Sequence, residues 1–183
     1  MEALNQNIFQ TIGTISDEMG IECFVVGGWV RDQFLNGEKS TDIDIVAVGD
    51  ALSLAKKSSK RLEGGKVSIF KKFGTAHFKY GNIDIEFVRA RSESYSSESR
   101  KPHVKEGSLQ EDQLRRDFTI NSLALSLNSK TWGLLIDPFH GLEDLKNKII
   151  RTPLEPKKTF ADDPLRMLRA IRFATQLNFK IEE

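Results

Sequence analysis

Phe24-Val25-Val26-Gly27-Gly28-Trp29-Val30-Arg31-Asp32, followed by Thr41-Asp42-Ile43-Asp44-Ile45-Val46, is the stretch that decides the fold. An apolar run breaks on two glycines and continues into a short helix-compatible segment; a second strand then alternates carboxylates with isoleucines. Successive side chains on a strand face opposite ways, so Asp42 and Asp44 point together about 6–7 Å apart while Ile43 and Ile45 turn to a core. Two like charges on one face repel, and a divalent cation with oxygen ligands is the usual remedy. Gly27 and Gly28 leave room for a phosphate to approach the backbone, and the N–H groups of the following helix point at it. Arg31 lies one turn further on and adds positive charge. An Asp-x-Asp pair alone is most often a solvated strand end, and Gly-Gly alone a plain turn; the two in this order are the informative combination.

Outward from this stretch, Leu4, Ile8, Ile12, Ile15 and Met19 recur at helical spacing, with Gly20 placed to stop the helix. Residues 22–26 read as a buried strand and 51–62 as a helix. Val67 to Phe70, Ala76 to Tyr80 and Ile83 to Val88 read as strands, the last two joined by the hairpin signal Gly81-Asn82. This order predicts an α/β fold, a mixed sheet with helices on one side. Residues 91–113, rich in serine and charge and broken by Pro102 and Gly107, read as a mobile loop. Leu114, Phe118, Ile120, Leu123 and Leu127 suggest a helical stretch, followed by short strands at Leu134 to Asp137 and around Ile149 and Ile150. Pro153 and Pro156 mark a boundary, after which Asp163 and Pro164 open a helix to about Leu177.

At 183 residues the chain has room for one good-sized core, or for one domain and part of another. No stretch approaches the ~20 apolar residues that span a bilayer, and no secretory signal opens the sequence. The single Cys23 in an apolar strand favours a buried thiol in a reducing compartment, and the expectation is a cytoplasmic protein. His77, His103 and His140 lack ligand spacing, which argues against zinc. A net charge of +1 argues against a strong, self-sufficient nucleic-acid binder, so any RNA affinity must be local or supplied from elsewhere.

Gly27-Gly28-x-Val30-Arg31-Asp32 followed by Asp42-x-Asp44 resembles the active-site signature of the nucleotidyltransferase superfamily that includes DNA polymerase beta. In this form it is similar to the class II tRNA nucleotidyltransferase and bacterial poly(A) polymerase family, and the resemblance runs from about residue 22 to the end. It implies a third carboxylate on a neighbouring strand. Asp84 and Glu86 share a face of the segment Asn82 to Arg89, and register relative to Arg89 points to Asp84. Arg115-Arg116-Asp117-Phe118-Thr119-Ile120-Asn121 matches the family's Arg-Arg-Asp-Phe-Thr-Ile-Asn motif, which implies that Arg116 contacts the nucleotide while Asp117 and Asn121 organise the ribose side. On the residues alone, Asp117 or Thr119 capping a helix is equally available.

The segment Phe160 to Phe173 is similar to the family's Glu-Asp-x-x-Arg motif, with Asp162 where the family often has Glu. The resemblance implies that Asp163 and Arg166 read the Watson–Crick edge of the incoming base from one helix face, and that Arg169 and Arg172 reach phosphate. The plainer alternative makes Asp163 a helix cap before a proline.

Together these imply a polymerase beta-like head over residues 1–152 and the beginning of a helical neck, cut short, over 153–183. The implied reaction is transfer of CMP or AMP from CTP or ATP to the 3′ end of tRNA with release of pyrophosphate. Mg²⁺ on Asp42 and Asp44 assists it, and Asp84 completes the catalytic site. RNA, not DNA or a membrane, is the expected partner, and a piece without the family's further helical domains is expected to add nucleotides to tRNA poorly or not at all. A poly(A) polymerase, an A-only or CC-only enzyme, an inactive NTP-binding module and a structural domain are the alternatives.

Overall fold

The computed structural model describes residues 4, 6–35, 40–71, 74–96 and 99–183, and the side chains of 93–104 are outside the description. In chain order the elements are α1 (Asn7–Met19), β1 (Glu22–Val26), α2 (Gly28–Leu35), β2 (Asp42–Val48), α3 (Ala51–Arg61), β3 (Ser68–Phe70), β4 (Thr75–Tyr80) and β5 (Ile83–Arg89). There follow β6 (Arg91–Ser96), β7 (Ser99–Glu106), α4 (Leu109–Leu114), β8 (Ala124–Ser126), β9 (Leu135–Ile136), α5 (Gly141–Asn147), β10 (Ile149–Ile150), α6 (Pro156–Asp162), α7 (Leu165–Leu177) and β11 (Lys180–Ile181).

Seven strands form one mixed sheet in the order β3-β4-β5-β2-β1-β8-β9. The central pair β2 and β5 is parallel, and β1 lies antiparallel on the other side of β2. The alternation in β2 sends Ile43, Ile45 and Ala47 into the main core, which also holds Phe9, Ile12, Ile15, Leu54, Phe78 and Phe87. Burial of each such large side chain is worth about 1.5–3 kcal/mol. α1 ends where its apolar stripe ends, on Gly20, which takes the left-handed conformation (φ 66°) that closes a helix.

On the opposite face of the sheet, the described residues build a second apolar cluster at one end. It consists of Phe24 and Val26 of β1, Val46 of β2, Ala90, Ala124 and Leu109 of α4. Asp42 and Asp44 share the face of Val46, so the carboxylates begin where this cluster ends.

Three expectations need correction. The stretch 91–113 contains an antiparallel pair, β6 and β7, and then α4, held by a capping box between Ser108 and Glu111. Polar strands without apolar alternation leave no period to read. Leu114 to Leu127 is not one helix: α4 stops at Leu114, a single 3₁₀ turn covers Thr119–Asn121, and β8 follows. Both α5 and α6 escaped the sequence reading, being only 7 residues each. α7 packs back on the rest through Phe173, whose ring meets Phe118 edge-on at 5.9 Å. Among the described residues no helix is long and apolar enough to cross a membrane.

Candidate active site

Gly27 follows β1 with φ 74°, a conformation that L side chains rarely adopt. A Cβ placed there would stand 3.3 Å from Asp44 Oδ2 and 3.3 Å from Arg116 Nη1, so the glycine turn, the Asp-x-Asp strand and the Arg-Arg-Asp segment meet at this point. The turn supplies space more than donors, because the Gly27 N–H already donates to the Leu123 carbonyl at 3.2 Å.

The parallel register sets Asp42 beside Asp84 and Asp44 beside Glu86, with all four on one face. Their environments differ. Asp84 Oδ1 lies 2.7 Å from His77 Nε2, and Oδ2 lies 3.3 Å from the Lys79 ammonium. The His77 hydrogen bond, with help from Lys79, holds the Asp84 carboxyl below its usual range. Glu86 is pushed upward, first by burial and then by the Asp44 charge. Burial likewise raises Asp44, with Asp42 and Asp112 adding to the rise and Arg116 opposing it. Burial thus holds both Asp44 and Glu86 above their usual range, against the opposing charges of Arg116 at Asp44 and of His77 and Arg91 at Glu86.

Arg116 is positioned by Asp112, a fully buried carboxylate on α4 that the sequence reading overlooked. Asp112 Oδ2 accepts from Arg116 Nη2 at 3.1 Å, and Oδ1 accepts from Arg115. The spacing of Asp112 to Arg115 and Arg116, three and four residues, was the available signal. The Arg116 Nε is buried without a partner among the described residues.

Arg31 does not project freely toward a phosphate. Its Nε donates to Asp32 at 2.8 Å and its Nη1 to Asn121 Oδ1 at 2.9 Å. Asn121 donates in turn to Asp117 Oδ1 at 3.2 Å, and Asp117 Oδ2 accepts from Arg169 Nε at 2.6 Å. Asp32, Arg31, Asn121, Asp117 and Arg169 thus form one chain of contacts joining α2, the 3₁₀ turn and α7. Phe173 lies beneath it, with the guanidinium carbons of Arg31, Arg169 and Arg172 at 5.3, 5.3 and 4.8 Å from its ring centre. The sequence alone gives Phe173 no role beyond its place in the motif.

Asp163 lies outside α7, in extended conformation at the end of α6, and its Oδ1 accepts the Leu165 N–H at 3.0 Å. It therefore does not share a helix face with Arg166, as the three-residue spacing suggested. Pro164 forces the break, since it disfavours helix in the residue before it. Arg166 Nη2 donates to the Arg115 carbonyl at 2.7 Å and Nη1 to the Thr159 carbonyl at 3.3 Å, while its Nε stands 3.9 Å from Asp163. The guanidinium is thus fixed against the Arg-Arg-Asp segment.

Among the described residues no group of three or more His, Cys, Asp or Glu side chains is placed to hold a metal ion alone. Magnesium seldom needs one: it is bound through one or two carboxylates, with substrate phosphates and waters completing the shell. Asp42 and Asp44, with a converging Glu86 and one nearby guanidinium, suit that arrangement.

A mixed sheet bearing paired carboxylates beside a glycine turn, with arginines converging from two other segments, defines a nucleotide-handling head domain. The model of the poly(A) polymerase head domain matches residues 23–151, and the chain belongs to that family. It is 48% identical over 161 residues to the A-adding tRNA nucleotidyltransferase of Aquifex aeolicus, covering 88% of this chain and 19% of that protein. A solved tRNA nucleotidyltransferase in complex with a primer tRNA and an incoming ATP analogue superimposes with a TM-score of 0.81 at 45% identity, covering 94% of this chain and 46% of that one. An apo form of a CCA-adding enzyme superimposes with a TM-score of 0.87 at 44% identity, covering 97% and 41%. The chain therefore spans between about a fifth and under a half of the length of these relatives.

Proposed function

We propose that this chain is the catalytic head of a tRNA nucleotidyltransferase, which transfers a nucleoside monophosphate from ATP or CTP to the 3′-hydroxyl of tRNA and releases pyrophosphate. The observation that carries the reading is the convergence of Gly27, Asp44 and Arg116 within contact distance of one point. Asp42 and Asp44 would hold Mg²⁺, which when bound neutralises charge on the phosphates and makes the attacking hydroxyl more acidic. For the third carboxylate the surroundings favour Glu86 over Asp84. Glu86 faces Asp44 and retains a raised affinity for a proton, as a proton acceptor from the hydroxyl requires, whereas His77 and Lys79 engage Asp84.

Arg116, oriented by Asp112, meets the triphosphate, and Asp117 and Asn121 shape the ribose side. Asp163 and Arg166 read the base; Arg169 and Arg172 add charge around Phe173. Residues 1–152 form the head, and 153–183 the helical segment that brings these base-reading groups to it. The buried Cys23 thiol, its pKa pushed up by desolvation, suits a reducing cytoplasm. Addition of A alone is the second reading, favoured by the 48% identity to an A-adding relative.

Each nucleotide offered singly with Mg²⁺, to a full-length enzyme that carries this head and to tRNAs ending before, within and after the CC, tests both readings. Incorporation that depends on Asp42 and Asp44 is expected, and the acceptor that is extended separates A addition from CCA addition. No incorporation on any acceptor, with no Asp44-dependent nucleotide binding, would overturn the assignment.

A further inference from the structure

Beyond the carboxylates that face of the sheet continues outward without cover from the second apolar cluster, which is built on β1, β2 and β8. Antiparallel register places His77 opposite Glu86 and Lys79 opposite Asp84, then Ser68 and Phe70 of β3 opposite His77 and Thr75. Directly paired residues share a face, so Asp44, Glu86, His77 and Ser68 form one row, with Lys79 and Phe70 flanking it. Phe70 is 52% exposed, an uncommon state for so large an apolar ring. Lys79 is mostly exposed as well, although its ammonium touches Asp84.

Resting on the function above, we propose that this β3–β4 face, with Phe70, His77 and Lys79, receives the last unpaired nucleotides of the RNA strand that is being extended. Gly27 and Arg116 set the triphosphate on the β1 side of β2. Phosphoryl transfer runs with attacking and leaving oxygens roughly in line, so the hydroxyl arrives from the side away from the leaving pyrophosphate, which is the β5 side. The strand behind that hydroxyl then lies over β4 and β3. There Phe70 presents a flat apolar surface on which a base stacks without regard to its identity. An ammonium carries three donors; Lys79 uses one on Asp84 and has others for a phosphate oxygen. Together with His77 it also offsets the Asp84 charge, which would otherwise repel the strand.

The probe is a single-stranded RNA oligonucleotide ending in CC with a free 3′-hydroxyl, its binding followed by fluorescence anisotropy across a salt series, with ATP and Mg²⁺ binding measured alongside. Phe70→Ala should weaken RNA binding about fivefold or more. Lys79→Gln should reduce the slope of log affinity against log salt by about 0.7, one single-strand phosphate contact. Both variants should bind ATP as the parent does. Unchanged RNA affinity and salt slope in both, or a parent that binds ATP but no RNA, overturns the track and leaves the nucleotidyltransferase reading standing. A parent that binds neither overturns both.

Discussion

Glu86 stands directly across from Asp44 in the parallel register of β5 on β2, and burial together with the Asp44 charge keeps its carboxyl above the usual range. Its strand neighbour two residues away, Asp84, is held on His77 and Lys79 instead. Glu86→Gln should therefore reduce nucleotide transfer by about 100-fold or more while ATP affinity persists, the signature of a lost proton acceptor. Asp84→Asn should cost less. Single-turnover rates at saturating ATP separate the two, and equal losses would remove the distinction.

Asp44 gives a prediction on stability. Its carboxyl in the folded chain lies above the ordinary 3.8, with burial as the leading cause. The folded state thus binds more protons than the unfolded state between the two values, and stability falls as pH rises through that interval. Above it the loss is complete, so at neutral pH without metal Asp44→Asn should be more stable than the parent. A gain of about 0.5–2 kcal/mol is in the range for relieving such a site. At this chain length each kcal/mol moves Tm by about 2–4 °C. Mg²⁺ with ATP should raise the Tm of the parent more than that of the variant, and a parent that is more stable without metal contradicts the argument.

The parts legible in sequence were those written in short-range code. The alternation in β2, the stripe of α1 and the Gly81-Asn82 hairpin each have a period or a turn residue, and each appears where the pattern put it. What could not be read depends on register between distant strands: Asp84 and Glu86 share a face equally well in isolation, and only the pairing of β5 with β2 tells their neighbours apart. Asp112 and Phe173 were overlooked for a related reason, since a buried carboxylate holding two arginines and a ring lying under three look ordinary until the chain folds back. The motif spacing of Asp163 and Arg166 misled in geometry alone, because Pro164 ends one helix and begins the next between them.

Gly27→Ala should damage function more than fold. Holding a non-glycine residue near φ 74° costs roughly 1–2 kcal/mol. The added methyl group would meet Asp44 and Arg116 at 3.3 Å, tighter than most real contacts, so both must give way. Denaturant unfolding is expected to show a loss of that small size, whereas transfer activity, which depends on the placement of both side chains, should fall about 100-fold. An active variant with unchanged ATP affinity would show that the close approach of the three residues is not required.

Asp163 and Arg166 offer the sharpest separation between a structural and a chemical role. Asp163 Oδ1 accepts the Leu165 N–H, which is a cap-like contact, but Oδ2 faces Arg166 across 3.9 Å. Two backbone carbonyls fix the Arg166 guanidinium, so its remaining hydrogen-bonding capacity is aimed instead of mobile. A polar pair built to match one base edge rejects others because a mismatched base leaves buried groups unpaired, and loss of one partner relaxes that penalty. Asp163→Ala should therefore raise incorporation of UTP and GTP relative to CTP and ATP by about tenfold, with little change in triphosphate affinity. Asp163→Asn keeps an acceptor for the Leu165 N–H and removes the charge, so it should preserve stability while losing discrimination. If all four nucleotides fell in equal proportion in Asp163→Ala, and Asp163→Asn behaved as the parent, Asp163 would serve only to hold the junction between α6 and α7.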